Sequence, residues 1–204
     1  MGISNTIPPS RLIQPGVCTS GTRPTAPFEG QMIYETDTDV LAIWNGTAWR
    51  IMGASTPTNG TVLQVVSATK VDTFSMTGAT FTDVTGLSVS ITPKSTSSKI
   101  LATFHISSGN AGANHNGFNL VRNSTDLAQP TAAQYSSTVS TSHVGGDQDF
   151  KMVSFSHLDS PSTVSSVTYK IQARTSGATL YVNRRGDTGI VSSSSSITVM
   201  EIAG

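Results

Sequence analysis

Hydrophobic and polar residues alternate with a period of two along much of the chain beyond residue 60. The alternation is clearest in SVTYKIQAR (166–174), where Val, Tyr, Ile and Ala fall on one side and Thr, Lys, Gln and Arg on the other. Such a period is typical of an antiparallel strand with one buried face. No segment shows a sustained helical period, and we expect only one helical turn, near residues 127–135. The sequence therefore predicts an all-β chain dominated by an antiparallel β-sandwich.

The strand patterns recur at intervals of roughly 8–15 residues, the spacing typical of a β-sandwich or barrel. The predicted strands cover residues 61–69, 79–84, 87–92, 99–107, 117–123, 150–158, 166–174, 178–183 and 196–203. The last strand is apolar on both faces, which suits a central strand of a monomer and also a strand that contacts neighbouring subunits. Its candidate interface residues are Ile197, Val199, Met200 and Ile202.

A smaller group of strands precedes this domain. The dipeptide Asn45-Gly46 lies between two apolar runs and is a strong hairpin signal, because a type I′ turn needs positive φ at both central positions. The predicted meander has strands at residues 31–36, 40–45 and 47–52. A sheet of this size has too little core to be stable alone. We therefore expect it to pack against a neighbour.

Proline and polar residues mark the boundaries between these regions. Five of the nine prolines fall in the first 27 residues, where each fixes φ and removes a backbone donor. We expect this segment to be an extended anchoring arm, poor in regular structure. The stretch GASTPTNG is typical of a linker. The predicted organisation is an arm at 1–27, a β-hairpin attachment module at 28–52, a linker at 53–60 and a head domain at 61–204.

Composition narrows the classes of partner. Charged residues make up 12% of the chain, against about 25% in an average soluble domain, and 12 basic residues balance 12 acidic ones. We therefore expect no nucleic-acid partner and no attraction to an anionic membrane. The single cysteine, Cys18, cannot form an intrachain disulfide. The chain shows neither the apolar segment of a signal peptide nor a run of about 18 apolar residues that would insert in a membrane.

The sequence contains no catalytic or metal-binding motif of a common type. HxxxH, CxxC and GxSxG are absent. Asp147 and Asp149 are spaced like part of a calcium loop, but the required glycine and terminal glutamate are missing. We therefore predict no catalytic residue, no metal site and no cofactor. A polysaccharide depolymerase would need two facing carboxylates, and the sequence nominates no such pair.

Three loops of the head domain are candidates for recognition. Residues 108–116, 136–149 and 184–195 are rich in Gly, Ser and Asn, and loops on rigid scaffolds often carry binding residues. The tripeptide at 185–187 is Arg-Gly-Asp, for which ordinary turn chemistry is the alternative to an adhesive role. The candidate receptor residues are His115, Tyr135, Arg185 and Asp187.

Two tryptophans flank the Asn45-Gly46 turn. An exposed pair would suit stacking on sugars, whereas a packed pair would close the hairpin or fix it to a neighbour. The position of Trp44 and Trp49 on opposite sides of the turn favours packing. The candidate attachment and packing residues are Arg23, Phe28, Tyr34, Trp44 and Trp49.

The stretch RPTAPFEGQMIYETDT, followed by VLAIWN and GTAW, resembles a module of tailed-bacteriophage virion proteins, notably minor tail proteins and tail fibres. The remaining chain, which ends in SSSSSITVMEIAG, looks like the β-rich head of phage fibre or appendage proteins. The resemblance implies a jelly-roll head related to the TNF and C1q domains, and assembly as a homotrimer. It also implies contact with other virion proteins of the capsid, tail or baseplate.

These observations lead to a ranked set of functions. The first is a non-enzymatic virion structural protein, made in the host cytoplasm and placed on the particle surface. Without the long shaft of a tail fibre, it would be a short trimeric spike, a head fibre or a capsid decoration. The alternative is a tail-fibre tip for host attachment that binds a receptor or glycan. A depolymerase is third.

Overall fold

The computed structural model describes residues 15–53, 57–131, 136–145, 148–187 and 191–204. These residues form fifteen strands and no helix, which confirms the all-β prediction. The expected helical turn at 127–135 is absent from the described part of that range, where a strand ends at Leu127, and residues 132–135 lie outside it. The chain divides into two compact units, residues 1–56 and 57–204.

The N-terminal unit is a four-stranded sheet in sequence order. Its strands are β1 (Gly16–Cys18), β2 (Met32–Glu35), β3 (Val40–Trp44) and β4 (Trp49–Ile51). The predicted meander is β2 to β4, with antiparallel pairing. The arm contributes β1, which pairs in parallel with β2 and was not predicted. A short run, GVC, between proline-rich segments carries too little pattern to be recognised as a strand.

The turn between β3 and β4 differs from the predicted type I′ turn. It spans four residues, and only Gly46 has a positive φ, at 91°. Asn45 does not adopt the positive φ that a type I′ turn requires. Its side-chain Oδ1 stabilises the turn instead, by accepting hydrogen bonds from the backbone N–H of Thr47 at 3.1 Å and of Ala48 at 2.8 Å. This is an Asx-type turn. Asn45 therefore acts through its amide oxygen rather than through a left-handed backbone.

The C-terminal unit consists of two packed antiparallel sheets. Its strands are β5 (Val62–Lys70), β6 (Phe74–Met76), β7 (Thr82–Ile91), β8 (Lys99–Asn110), β9 (Asn114–Arg122), β10 (Thr125–Leu127), β11 (Val139–His143), β12 (Phe150–Asp159), β13 (Val167–Thr175), β14 (Leu180–Val182) and β15 (Ser195–Ile202). Sheet I contains β5, β15, β8 and β12 in that order, with β14 and β6 extending it. Sheet II contains β7, β13, β9 and β11 in that order, and β10 also pairs with β9.

The order of the strands is that of a jelly roll. If β5, β7, β8, β9, β11, β12, β13 and β15 are numbered 1 to 8 along the chain, sheet I reads 1-8-3-6 and sheet II reads 2-7-4-5. Eight strands in two such sheets form a double Greek key. The predicted jelly-roll sandwich is therefore confirmed. Strands β6, β10 and β11 were not predicted from the sequence.

The core of the sandwich lies between the two sheets and follows the alternation of the strands. The largest contributions come from Phe104 and Ile106 of β8, Phe118 and Leu120 of β9, Tyr169 and Ile171 of β13, and Ile197 and Val199 of β15. Ile197 and Val199 were candidate interface residues. They are fully buried in the core of their own chain, so their side chains are not available to another subunit.

Strand β7 replaces two predicted strands, 79–84 and 87–92. The pairing of β7 with β13 changes register between Ser88 and Asp83, and Gly86 has a φ of 88°. This β-bulge lets Val84 and Leu87 both point into the core. The break in alternation at the bulge makes one strand resemble two in the sequence.

A buried polar cluster joins the two sheets. Asp159 of sheet I accepts hydrogen bonds from the Tyr169 hydroxyl at 2.7 Å and from Arg122 Nη1 at 2.7 and 2.8 Å, both residues belonging to sheet II. Burial raises the pKa of Tyr169, and the bond to the Asp159 carboxylate raises it further. The tyrosine therefore remains a neutral donor.

Replacing Tyr169 with phenylalanine should lower the free energy of unfolding by about 2 kcal/mol, because hydrogen bonds to charged groups contribute on that scale. Urea unfolding followed by far-UV circular dichroism measures the change. Tyr181→Phe is the matched control, since the Tyr181 hydroxyl makes no hydrogen bond to another described residue. Equal effects of the two substitutions would contradict the proposed role of the cluster.

Candidate functional site

The N-terminal unit buries one face of its sheet, and a carboxylate lies within that face. Ile33, Ala42 and Glu35 are almost completely inaccessible. Glu35 accepts hydrogen bonds from Arg23 Nε at 2.5 Å and from Thr38 Oγ1 at 2.9 Å. The Arg23 guanidinium is the main cause of the lowered pKa of Glu35. Arg23, an attachment candidate, thus lies within the unit and connects the segment before β2 to the sheet.

The aromatic candidates of this unit have different environments. Trp44 and Trp49 pair directly across β3 and β4, with ring centroids 5.6 Å apart at 62°, which is a T-shaped packing contact. The Tyr34 hydroxyl donates to Asp39 Oδ1 at 2.7 Å. Phe28 is 70% exposed. Of the five attachment candidates, Phe28 is therefore the exposed one, and the other four are half-buried.

The outer face of sheet I carries almost no charge. Directly paired residues form an apolar row across all four strands: Val65, Met200, Leu101 and Leu158. Val65 is 55% exposed and Leu158 is 54% exposed, whereas Leu101 and Met200 are half-buried. The next two rows are Ser67, Thr198, Thr103 and Ser156, then Thr69, Ser196, His105 and Ser154.

The candidate interface residues of β15 thus divide between two faces. Met200 lies in the apolar row, and the half-buried Ile202 follows it on the same outward side. Ile197 and Val199 point to the core. A period of two requires this division, so the doubly apolar strand packs one face into the core and leaves the other on the outer surface of sheet I.

A polar pocket of about 350 Å³ lies on the outer face of sheet II, where β9, β11 and β13 run side by side. Four of its lining side chains carry a hydroxyl group or a cation at exposed or half-buried positions: Ser140 and Ser142 of β11, Arg174 of β13, and Ser176. Ser137, which also lines the pocket, is buried. His115 of β9 lies at the rim.

Gly117 forms the floor of this pocket because it has no side chain. A Cβ atom at Gly117 would lie 2.9 Å from Ser137 Oγ and 3.3 Å from Arg174 Nε, so a larger residue would displace both. The Arg174 guanidinium lies 4.8 Å from the centroid of the Phe81 ring, a cation–π contact that positions it. The pocket is therefore shaped by the backbone of β9 and by an oriented arginine.

The receptor candidates do not gather at one place. His115 lines the pocket together with residues from the predicted loop 136–149. Arg185 and Asp187 form an ion pair with each other, and a Cβ on Gly186 would overlap the carbonyl oxygen of Asn110. The Arg-Gly-Asp segment is thus folded onto the end of β8. Tyr135 lies outside the described residues.

Sequence reasoning missed most of the pocket. Arg174 belongs to the polar side of the strand predicted at residues 166–174, where a charged residue needs no special role. Ser140 and Ser142 lie on β11, which was predicted as loop. The sequence does not reveal that Gly117 lies beside Arg174, because that depends on the register of β9 against β13.

In the described part of the chain, no group of three His, Cys, Asp or Glu side chains is arranged to hold a metal ion. Nor do the described residues include a helix of the length and apolarity needed to cross a membrane.

Comparison with known proteins gives remote structural similarities. No family model matches the chain, and no curated protein matches it in sequence. Among solved structures, the infectious bursal disease virus Gt strain is 10% identical with a TM-score of 0.36, covering 80% of this chain and 44% of that one. The VP2 subviral particle of the same virus is 12% identical with a TM-score of 0.31, covering 89% and 46%.

The Gx strain structure is 13% identical with a TM-score of 0.29, covering 80% of this chain and 45% of that one. This chain therefore spans less than half the length of each of these viral proteins. At such TM-scores the similarities carry no argument about function.

Glu35→Gln should weaken the N-terminal unit at neutral pH, because Arg23 then loses its anionic partner. The pKa of Glu35 is lowered in the folded unit, so its stabilising effect is complete above the ordinary value of 4.5 and is lost as the pH falls through the lowered value. As the pH is lowered from 7 to below 4.5, the free energy of unfolding should therefore fall more in the wild type than in the variant.

Fluorescence of Trp44 and Trp49, the two tryptophans of the chain, measures urea unfolding of this unit alone. Glu29→Gln, at an exposed carboxylate of the same unit, is the control and should change neither the midpoint nor its pH dependence. Identical pH profiles for wild type and Glu35→Gln would show that the buried ion pair has no such role.

Proposed function

We propose that this protein is a non-enzymatic structural component of a bacteriophage particle, with an N-terminal attachment unit and a self-associating jelly-roll head. Two features support the virion role: the resemblance of residues 23–49 to a module of phage tail proteins, and the jelly-roll head that this resemblance implies. The observation that carries the self-association is the set of three uncharged rows on the outer face of sheet I.

The two outer faces of the sandwich differ in a way that favours contact through sheet I. On sheet II, charged and polar residues pair with each other, as Lys170 does with Asp83 at 2.8 Å. The twelve outward positions of the three rows on sheet I contain no Lys, Arg, Asp or Glu. A sheet face exposed to water normally carries such residues, whereas contiguous apolar surface marks an interaction site.

The partner for this face is a second copy of the chain. Rows of hydroxyls beside an apolar row can be buried in a contact without removing charged groups from water, which would cost free energy. Two identical neutral surfaces also meet without electrostatic repulsion. The homotrimer is the closed form that the phage resemblance implies. In that arrangement, Met200 and Leu101 lie at the centre of the contact and Val65 and Leu158 toward its sides.

The N-terminal unit is proposed to attach the head to the capsid, tail or baseplate. Its exposed apolar side chains are Val17, Phe28, Ile51 and Met52. Exposed apolar groups on so small a unit suit a docking contact with another virion protein. The head then faces outward as a short spike or decoration on the particle surface.

Met200→Glu should convert the trimer into a monomer, because a carboxylate in the centre of an apolar contact loses its hydration without gaining a partner. Sedimentation equilibrium measures the mass, with three chains expected for the wild type. Ser88→Glu, on the exposed outer face of sheet II beside Lys170, is the control and should remain trimeric.

Both variants should fold, since Met200 and Ser88 point away from the core. Circular dichroism checks this. A monomeric wild type would overturn self-association. A Met200→Glu variant that remains trimeric would show that sheet I is not the contact face.

A further inference from the structure

We infer that the pocket on the outer face of sheet II is a binding site for a small anionic sugar. The guanidinium of Arg174 binds the anionic group, and the hydroxyls of Ser137, Ser140 and Ser142 bind the hydroxyls of the sugar. This recognition site lies on the sheet opposite to the proposed contact face, and so it remains accessible when the head self-associates.

The first argument is that hydroxyl groups in the pocket have unused hydrogen-bonding capacity. The side chains of Ser137, Ser140 and Ser142 make no hydrogen bond to another described residue. Each hydroxyl can donate one hydrogen bond and accept two. Three such groups that converge on one concavity are suited to a ligand that itself carries several hydroxyls.

Other polar side chains of the same face are paired with each other. Asp83 accepts from Lys170 at 2.8 Å and from Gln172 at 2.7 Å, and the hydroxyls of Ser90 and Thr168 lie 2.8 Å apart. The pocket differs from these pairs because its three serine hydroxyls surround a concavity and leave their hydrogen-bonding capacity to a ligand.

The second argument concerns charge. The lining described by the structure contains Arg174 and the imidazole of His115 but no carboxylate. A guanidinium presents five N–H donors in a planar fork, so it can bind a carboxylate or phosphate through two bonds while keeping other contacts. Its position over the Phe81 ring reduces the conformational entropy lost on binding.

The third argument concerns size and polarity. A volume of about 350 Å³ lies near the lower end of the range for small-molecule sites, about 300–1,000 Å³. Apart from the His115 imidazole, the described lining contains no aromatic side chain, and it contains no large aliphatic one. Such a pocket offers little to an apolar ligand, and it favours a compact ligand with many polar groups.

Gly117 connects the shape of the pocket to this role. A side chain there would meet Ser137 and Arg174 together, the groups assigned to the sugar hydroxyls and to the anion. The floor is thus open at the point between the two kinds of contact. A glycine within a strand costs stability, and the space it leaves for a ligand is a physical reason for its presence.

The inference is tested with four probes on the full-length protein: glucuronate and N-acetylneuraminate as anionic sugars, glucose as a neutral sugar, and inorganic phosphate as a bare anion. Titrations followed by amide chemical shifts measure the affinities. At least one anionic sugar should bind, with shifts centred on residues 115–117 and 140–142, and more tightly than glucose or phosphate.

Arg174→Gln should weaken binding of that sugar by about tenfold or more, since a charge-assisted hydrogen bond contributes about 1.5–3 kcal/mol and 1.4 kcal/mol corresponds to tenfold. The double variant Ser140→Ala with Ser142→Ala removes exposed hydroxyls without touching the core, and should weaken the sugar but not phosphate. Lys170→Gln removes a cation from the same strand and face and should leave binding unchanged.

Absence of binding by both anionic sugars at millimolar concentration would overturn the inference. Equal binding of glucose would exclude the anionic class, and equal binding of phosphate with no effect of the serine substitutions would reduce the pocket to a bare anion site. An equal loss in Lys170→Gln and Arg174→Gln would indicate non-specific attraction. The sedimentation mass of each variant is independent of these outcomes, so failure here is distinct from failure of the proposed self-association.

Discussion

Burial of one face of each sheet against the other is the interaction on which the head domain depends. The chain has a single cysteine, so no intrachain disulfide supports the sandwich, and charged residues are few. Apolar side chains that alternate along the strands of both sheets fill the space between them, with Phe104, Phe118 and Tyr169 among the largest. Because each inward residue removes apolar area from water, the same alternation that forms the strands also provides the force that holds the two sheets together.

The inward residues of each strand must be apolar to form the core, whereas its outward residues can vary. The outward residues of the two sheets have different chemistry. The outer face of sheet I has an apolar row beside rows of hydroxyls, whereas the outer face of sheet II has paired charges at one end and the pocket of Arg174 at the other. An uncharged surface and an oriented guanidinium suit different partners. The core therefore lets one domain present two chemically different surfaces on opposite sides.

The N-terminal unit is compact although its apolar core is much smaller than that of the head domain. Its buried face includes the Glu35 carboxylate, which is held by Arg23 and Thr38, and a tryptophan pair closes the hairpin. A buried carboxylate is tolerated only when it is paired and hydrogen-bonded. Strand β1 and Arg23, which the sequence placed in an anchoring arm, are part of this small unit. This explains how a unit too small for a conventional core can be compact.

The local pattern of the chain was enough to predict the all-β class, the meander and most of the long strands, because a period of two and turn residues are properties of neighbouring positions. Short strands such as β11 and the bulge at Gly86 were missed, since their stability comes from pairing with distant strands. The resemblance to phage proteins rests likewise on contiguous residues. The pocket could not be predicted, because Gly117, Ser140 and Arg174 become neighbours only when β9 is placed between β11 and β13. Long-range register decides which outward residues share a surface, and register depends on the whole core rather than on any one segment.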